Sequence, residues 1–426
     1  MKVINRKQLN AFGGINFIYE HLNELKCQSI LENNLPPLTN QSRYNWKDIF
    51  YSFLSIYYCG GDCIEDININ LKQHLGKNPF CKIPSADRIL DRLKQLAIPS
   101  FTCKTERGIV EHDVNRNENL TKLNIELLAK LGVFDKEELT VDYDNTIIFT
   151  EKKDSKRNYK RGRGYQPGVA TINTNNILYI ENRNGNSDAK SFQAETLENM
   201  FRQLRQNNVK PIDNFRADAA SYQLKVIKTV NKYCSNFFIG GRNSYVEKYF
   251  GTITDWTETK DSKGNKVFVG ETEFTPFGKH KHNQNYRLII RKRKNKSKQT
   301  DLFTQDDYEY RAIVTNNKGK TAIEVYRFYN QRGAMEKQFD ILKNDFGWNN
   351  MPFSSLANNN VFLYFTAICR NLYNNIIKIF SRKYNGLQPN FRMKKFLFRF
   401  IILPSNWITI GRQKILSIYG QIHYKT

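Results

Sequence analysis

From Glu138 onward the apolar positions recur every second residue. In LTVDYD, Leu139, Val141 and Tyr143 share one face and Thr140, Asp142 and Asp144 the other, the alternation of a half-buried strand. GVATIN, a turn at TNN and ILYIENR predict a strand hairpin. Asp188 is then expected to cap a helix over AKSFQAETLENMFRQLRQ. NFRAD reads as a strand ending in Asp218, YQLKVIKTVNKY as a helix and NFFIGG as a short apolar strand. The order strand, strand, strand, helix, strand, helix, strand predicts a mixed sheet with helices, an α/β core.

Either side of this block the period differs. Up to residue 133 the apolar spacing is three and four, in INFIYEHLNEL, WKDIFYSFLSIYY, SADRILDRLKQLA and NENLTKLNIELLAKLG, with Ser85 and Asn117 as caps. This helical N-terminal region is expected to serve as a DNA-binding head or as a dimerisation or packing layer; it carries no clean helix-turn-helix signature. Residues 241–322 are rich in Thr, Lys, Asn and Gly, with strand-like YFGTITDW, KVFVGETEF, YRLIIRKRK and EYRAIVTN. They predict a β-rich basic insertion, flat or wrapped around something. A helix over residues 326–346, a buried helix in NNVFLYFTAICRNLYNNIIKIF and a strand-like FLFRFIIL complete the chain.

The helix over residues 326–346 has an unusual polar line. With Tyr329 at 0°, Arg332 falls near roughly 300°, Glu336 near 340° and Lys343 near 320°, a stripe about 60° wide. Phe328, Met335, Phe339, Leu342 and Phe346 fill the adjacent sector that faces a core. Side chains at the rim of a buried face suit a cleft better than open solvent.

Charge narrows the class of partner. Among 426 residues, 66 are Lys or Arg and 41 Asp or Glu, an excess of 25 positive charges. That favours a polyanion, nucleic acid before an anionic membrane. No apolar run reaches the length of about 18 residues that a membrane span needs, and MKVINRKQLN lacks the apolar core of a secretory signal. A cytoplasmic protein is expected, nucleoid-associated when bound to DNA. The densest charge, RKRKNKSK at residues 291–298, holds six basic residues in eight, and Arg291, Lys292, Arg293 and Lys294 are candidate phosphate contacts. Trp256 is a candidate for stacking on an unpaired base. CGGDC, with Cys59 and Cys63, is followed by no finger or ribbon spacing, so reduced thiols are expected rather than a zinc site.

Three acidic positions close predicted elements: Asp144, Asp218 and Glu336. Carboxylate oxygens suit hard Mg²⁺, and two such ions can clamp both the attacking and leaving oxygens of an in-line phosphoryl transfer. Asp142 shares a strand face with Asp144, and Asp340 lies one turn past Glu336, so each is an alternative ligand.

The succession of DYDNT, FRAD and Y-x2-R-x3-E-x6-K resembles DDE transposases of bacterial insertion sequences. The Tyr-Arg-Glu-Lys signature is that of the superfamily of the "insertion sequence four" type. DYDNT, KRGRGYQPGVA and RADAASY are most similar to its thirteen-eighty family. The resemblance covers about residues 138–380. Asn145 departs from it, standing where many relatives carry glycine.

The resemblance implies an RNase H-like catalytic core interrupted by a β-rich insertion. Its bounds are residues 1–133 for the helical region, 134–240 and 323–426 for the two parts of the core with the C-terminal tail, and 241–322 for the insertion. It implies Asp144, Asp218 and Glu336 as the metal triad, with Mg²⁺ or alternatively Mn²⁺, and Tyr329, Arg332 and Lys343 as grips on the phosphates of the transposon end. The implied activity is metal-dependent cleavage at the element's ends and strand transfer into target DNA, by a homodimer on double-stranded DNA. The rivals are an inactive DNA-binding regulator of transposase descent and an RNase H-like nuclease.

Overall fold

The computed structural model describes residues 9–104, 110–276, 284–294 and 308–420. Among them, eleven strands form one sheet: β1 Phe101–Lys104, β2 Glu111–Asn115, β3 Thr140–Asn145, β4 Gly168–Ile172, β5 Asn176–Arg183, β6 Ile212–Ala217, β7 Cys234–Gly241, β8 Thr257–Lys260, β9 Lys266–Phe274, β10 Tyr286–Lys294 and β11 Tyr308–Thr315. Their spatial order is β1-β2-β5-β4-β3-β6-β7-β11-β10-β9-β8.

The five central strands follow from the alternating segments. β3 is antiparallel to β4 and parallel to β6, and β7 is parallel to β6. Three antiparallel neighbours followed by two parallel additions is the order of an RNase H-like core, so the α/β expectation holds. The hairpin at TNN forms as read. Asp188 does not cap a helix; it accepts from the Lys190 and Ser191 amides in a turn, and the helix begins later, at Gln193.

Outside the centre the structure departs from the pattern in four places. β1 and β2 lie inside the stretch read as helical; His112 and Val114 are buried at a period of two, which three-residue spacing arguments overlook. β8 to β11 extend the core sheet through an antiparallel pairing of β11 with β7, and Leu288, Ile289, Ile290, Ile313 and Val314 are buried. YFGTITDW forms a 3₁₀ turn, Glu247–Thr252, with Phe250 and Ile253 buried three apart. FLFRFIIL is helical, because Phe396 and Phe400 stack at a spacing of four.

Helices cover both faces. On one lie α5 Glu118–Lys130, α6 Gln193–Gln206 and α7 Leu224–Tyr233, through Leu128, Met200, Phe201 and Val226 among others. On the other, α1 Ile15–Glu24, α2 Cys27–Asn34, α3 Trp46–Tyr58 and α4 Ala86–Lys94 share one apolar cluster with α10 Leu356–Lys383. Ser85 and Asn117 cap α4 and α5 as expected. The N-terminal helices are thus a packing layer over the sheet.

The buried polar residues of α10 have a specific task. β2 pairs with β5 only at Asn182 and Arg183. At Ile177 and Ile180 it is α10 that meets the backbone: Asn371 accepts from the Ile177 amide and donates to its carbonyl, and the Tyr364 hydroxyl does the same for Ile180. Unpaired backbone groups there would otherwise be costly. No helix among the described residues is long and apolar enough to cross a membrane.

Candidate active site

The run over residues 326–346 is two helices. α8 Ala322–Asn330 ends in a 3₁₀ turn, Gln331–Gly333, and α9 Ala334–Asp345 follows. Gly333, the poorest helix former after proline, sits at the break. Met335, Phe339, Leu342 and Phe346 are buried as expected, whereas Phe328 is half-buried against Phe238 and Arg216.

β3 and β6 run parallel with Tyr143 opposite Ala217. Asp144 and Asp218 therefore follow side by side at the carboxyl ends of adjacent strands, where open α/β sheets bind ligands. One strand further, Gly240 of β7 leaves room for Tyr329. A Cβ there would lie 2.7 Å from the Tyr329 hydroxyl, which donates to the Ala217 carbonyl at 3.3 Å. Glu336, exposed in the first turn of α9, faces the same place. Asp218, Tyr329, Arg332 and Glu336 line a cleft of about 740 Å³.

Electrostatics tie Asp144 to this group. Burial and the neighbouring charge of Asp218, with a smaller contribution from Glu336, push its carboxyl up to about 6 despite Arg332. Arg332 Nη1 donates to Asp144 Oδ2 at 3.2 Å; these side chains are 18% and 19% exposed, so solvent screens the contact little. Burial raises the Tyr329 phenol, which stays a hydrogen-bond donor. Arg332 Nε is buried without a partner.

The alternatives separate cleanly. Asp142 is buried in a bidentate pair with Arg216, at 2.6 and 2.8 Å, and the same guanidinium donates to the Phe328 carbonyl and to Gln331. Both oxygens of Asp142 are thereby engaged. Asp340 is paired with Arg392 at 2.6 Å. Asp218 does cap, through Oδ1 and the Ala220 amide, but the element is a 3₁₀ turn.

Other expected contacts lie elsewhere. Lys343 is two turns beyond Glu336, about 10 Å along the axis, and donates to the Ile147 carbonyl at 2.7 Å in the loop after β3. Burial and Lys160 pull its ammonium below the ordinary lysine range. Lys343→Ala is expected to cost about 1–2 kcal/mol in urea unfolding and to leave DNA affinity unchanged. Affinity lost at unchanged stability would put the ammonium on a phosphate. Residues 291–294 of the basic run are the end of a strand, so their charges alternate: Arg291 and Arg293 line the cleft, and Lys292 points to the opposite face over the Trp256 ring at 4.0 Å. Lys294, two residues on from Lys292, shares that opposite face. Trp256 packs beside the core there and donates to the Ile253 carbonyl, away from the cleft. Residues 295–298 of the run lie outside the described residues.

Sequence reasoning passed over Arg216, Gly240, Glu309 and Arg311. A signal existed for most: Arg216 alternates with Asp218 in FRAD as Asp142 does with Asp144, and Glu309 alternates with Arg311 in EYRA.

The donor set suits a hard divalent cation, since Asp218 and Glu336, from two other elements, crowd negative charge onto Asp144. Among the described residues no three acidic, His or Cys side chains yet stand at metal-holding distance; Arg332 reaches Asp144 instead.

Two solved structures are among those that this chain matches. One is the piggyBac transposase synaptic complex with hairpin DNA, at 11% identity and a TM-score of 0.42, covering 93% of this chain and 83% of that one. The other is the Mos1 strand transfer complex, at 12% identity and a TM-score of 0.17, covering 54% of this chain and 76% of that one. Neither likeness is close enough to place a residue. No curated protein matches the sequence. The family is settled by the sequence itself: residues 5–418 match the Transposase DDE domain group 1 family, and the chain belongs to it.

Proposed function

We propose that this protein is a DNA transposase that binds the ends of its element as a dimer, cuts them, and transfers the freed strand into target DNA. The observation that carries the reading is a cleft lined by Asp218, Glu336, Arg332 and Tyr329, with Asp144 beside it, bonded to Arg332 and feeling the charges of Asp218 and Glu336. Those carboxylates would hold Mg²⁺, with Mn²⁺ as the alternative. The ion would supply an activated nucleophile and neutralise charge on the leaving oxygen.

The chain's own residues supply geometry. Strand ends fix two carboxylates rigidly, and Arg332 offers a planar fork to a phosphate. Tyr329, held by its hydrogen bond to the Ala217 carbonyl, walls the cleft beside Asp218. The thirteen-eighty type of insertion sequence, and with it a bacterial cytoplasm, is part of this proposal and rests on the Tyr-Arg-Glu-Lys spacing and the motifs around it.

The test is cleavage of a plasmid carrying the element's own flanking ends, with Mg²⁺, by wild type and Glu336→Gln. Wild type is expected to cut at the ends, and the variant to bind and not cut. Binding without cutting by both would favour the DNA-binding regulator. Cutting by wild type with no preference for the ends would favour the nuclease.

A further inference from the structure

Besides the carboxylates, the cleft is lined by Arg291 and Arg293, two of the candidate phosphate contacts, together with Glu309 and Arg311, which sequence reasoning passed over. β10 and β11 pair with Arg291 opposite Arg311 and Arg293 opposite Glu309, so the four form a block on one sheet face. Glu309 accepts from all three arginines, at 3.3 Å from Arg291, 2.6 Å from Arg293 and 3.0 Å from Arg311. Each guanidinium has five N–H donors, and one carboxylate has about four lone-pair sites for them all. Arg293 Nε is buried with no partner. The Arg291 side chain is only 9% exposed and Arg311 is 75% exposed, so the block runs from the cleft floor to its mouth.

We propose that Arg291, Arg293 and Arg311 form a phosphodiester-binding site, with Glu309 as a resident counterion that a phosphate of the DNA backbone supplements or displaces. This rests on the transposase reading and deepens it, because Asp218, Glu336, Arg332 and the arginine block line the same cleft. A tetrahedral anion with several acceptor oxygens meets three planar forks better than one carboxylate does. The contact proposed is to the backbone, which positions a strand without reading its sequence. Burial pulls the Arg291 guanidinium below its ordinary range, and Glu309 offsets this only in part. Position in a sheet fixes the spacing of the forks before DNA arrives. A strand passing the carboxylates is thereby gripped within the same cleft.

The experiment is a salt titration of binding between the full chain and a short labelled duplex of random sequence, without divalent metal. Arg293→Ala combined with Arg311→Ala is expected to weaken affinity about tenfold or more and to lower the slope of log affinity against log salt by about one to two. Glu309→Gln is expected to tighten binding. Lys94→Ala, on α4 and paired with Asp91, controls for loss of a single surface charge. Circular dichroism confirms that each variant is folded; should the double variant not fold, Arg311→Ala alone carries the test, being on an exposed side chain. Inorganic phosphate as competitor separates the two sources of the ligand. Displacement of the duplex by millimolar phosphate would mean a free-phosphate site and overturn the proposal. So would a slope unchanged in a folded double variant, while end cutting that still depends on Glu336 would leave the transposase reading standing. Wild type that fails to bind duplex at low salt would sink both.

Discussion

Asp144→Asn is expected to yield a protein that melts at higher temperature than wild type in chelator and cuts no DNA. The carboxyl stands at about 6 in the fold against an ordinary 3.8. Because the folded value is the higher, the native state prefers the protonated form. The penalty is absent below about pH 3.8, grows as pH rises towards 6, and is complete at neutrality. A two-unit shift corresponds to on the order of 2–3 kcal/mol, which the neutral isostere should recover in part. Asn keeps an acceptor for the Asn145 amide, which now donates to Asp144 Oδ1 at 2.8 Å. Asp218 remains beside Arg332 as its partner in charge.

Divalent metal should reverse the ranking. A cation that binds only the folded wild type stabilises it by RT ln(1 + L/Kd) at free metal concentration L, so its melting temperature climbs with the logarithm of free metal above Kd, and the variant lacks a ligand. Thermal unfolding with EDTA and with Mg²⁺, at pH 5 and pH 7.5, measures all of this. The wild-type deficit should be smaller at pH 5. A variant that melts lower than wild type in EDTA would make Asp144 a structural counterion to Arg332, and the carboxylate cluster would not be a stored site for metal. Active sites commonly trade stability for function in this way.

How much of this was written in the sequence depends on the kind of order involved. The central strands were legible because their apolar residues alternate, or run on briefly between turn signals, and Asp144 and Asp218 close two of them. The arrangement of β8 to β11 was not, since nothing local says that β11 will pair with β7. Segments with aromatic residues at every spacing, such as FLFRFIIL, satisfy both periods, and only packing of Phe396 on Phe400 decides. The polar stripe survived a wrong premise. The 3₁₀ turn at Gln331–Gly333 interrupts the helix, yet Tyr329, Arg332 and Glu336 stay within one cleft because they span only two turns. Lys343 lies about 10 Å further along the axis, bonded to the Ile147 carbonyl. The basic run was read as four candidate phosphate contacts at the end of a strand, and strand alternation places Arg291 and Arg293 on one face and Lys292 on the other. Asp142 and Asp144 were indistinguishable by period; a partner on another strand, Arg216, separates them.

That partner carries the second large effect. Asp142→Asn and Arg216→Met are each expected to destabilise the fold by about 3–5 kcal/mol, because each leaves a charge or its remnant buried without its counterpart. Both side chains are 1% exposed, so water cannot substitute. Yet a buried ion pair is seldom there for stability alone, since apolar replacements of both members often cost little. The surroundings of Arg216 suggest another purpose. It lies two residues before Asp218, pairs with the residue two before Asp144, and donates to the Phe328 carbonyl directly before Tyr329. One guanidinium thus locks β3, β6 and the end of α8, the elements that present two of the carboxylates and Tyr329. The double variant Asp142→Leu, Arg216→Met is therefore expected to regain most of the lost stability in urea unfolding, the two changes being far from additive. End cleavage should not return with it, because the apolar pair cannot hold the Phe328 carbonyl. Recovery of both would reduce Arg216 to one half of an ion pair. Recovery of stability alone would mark it as the residue that sets the distance between the strand ends and the helix that completes the site.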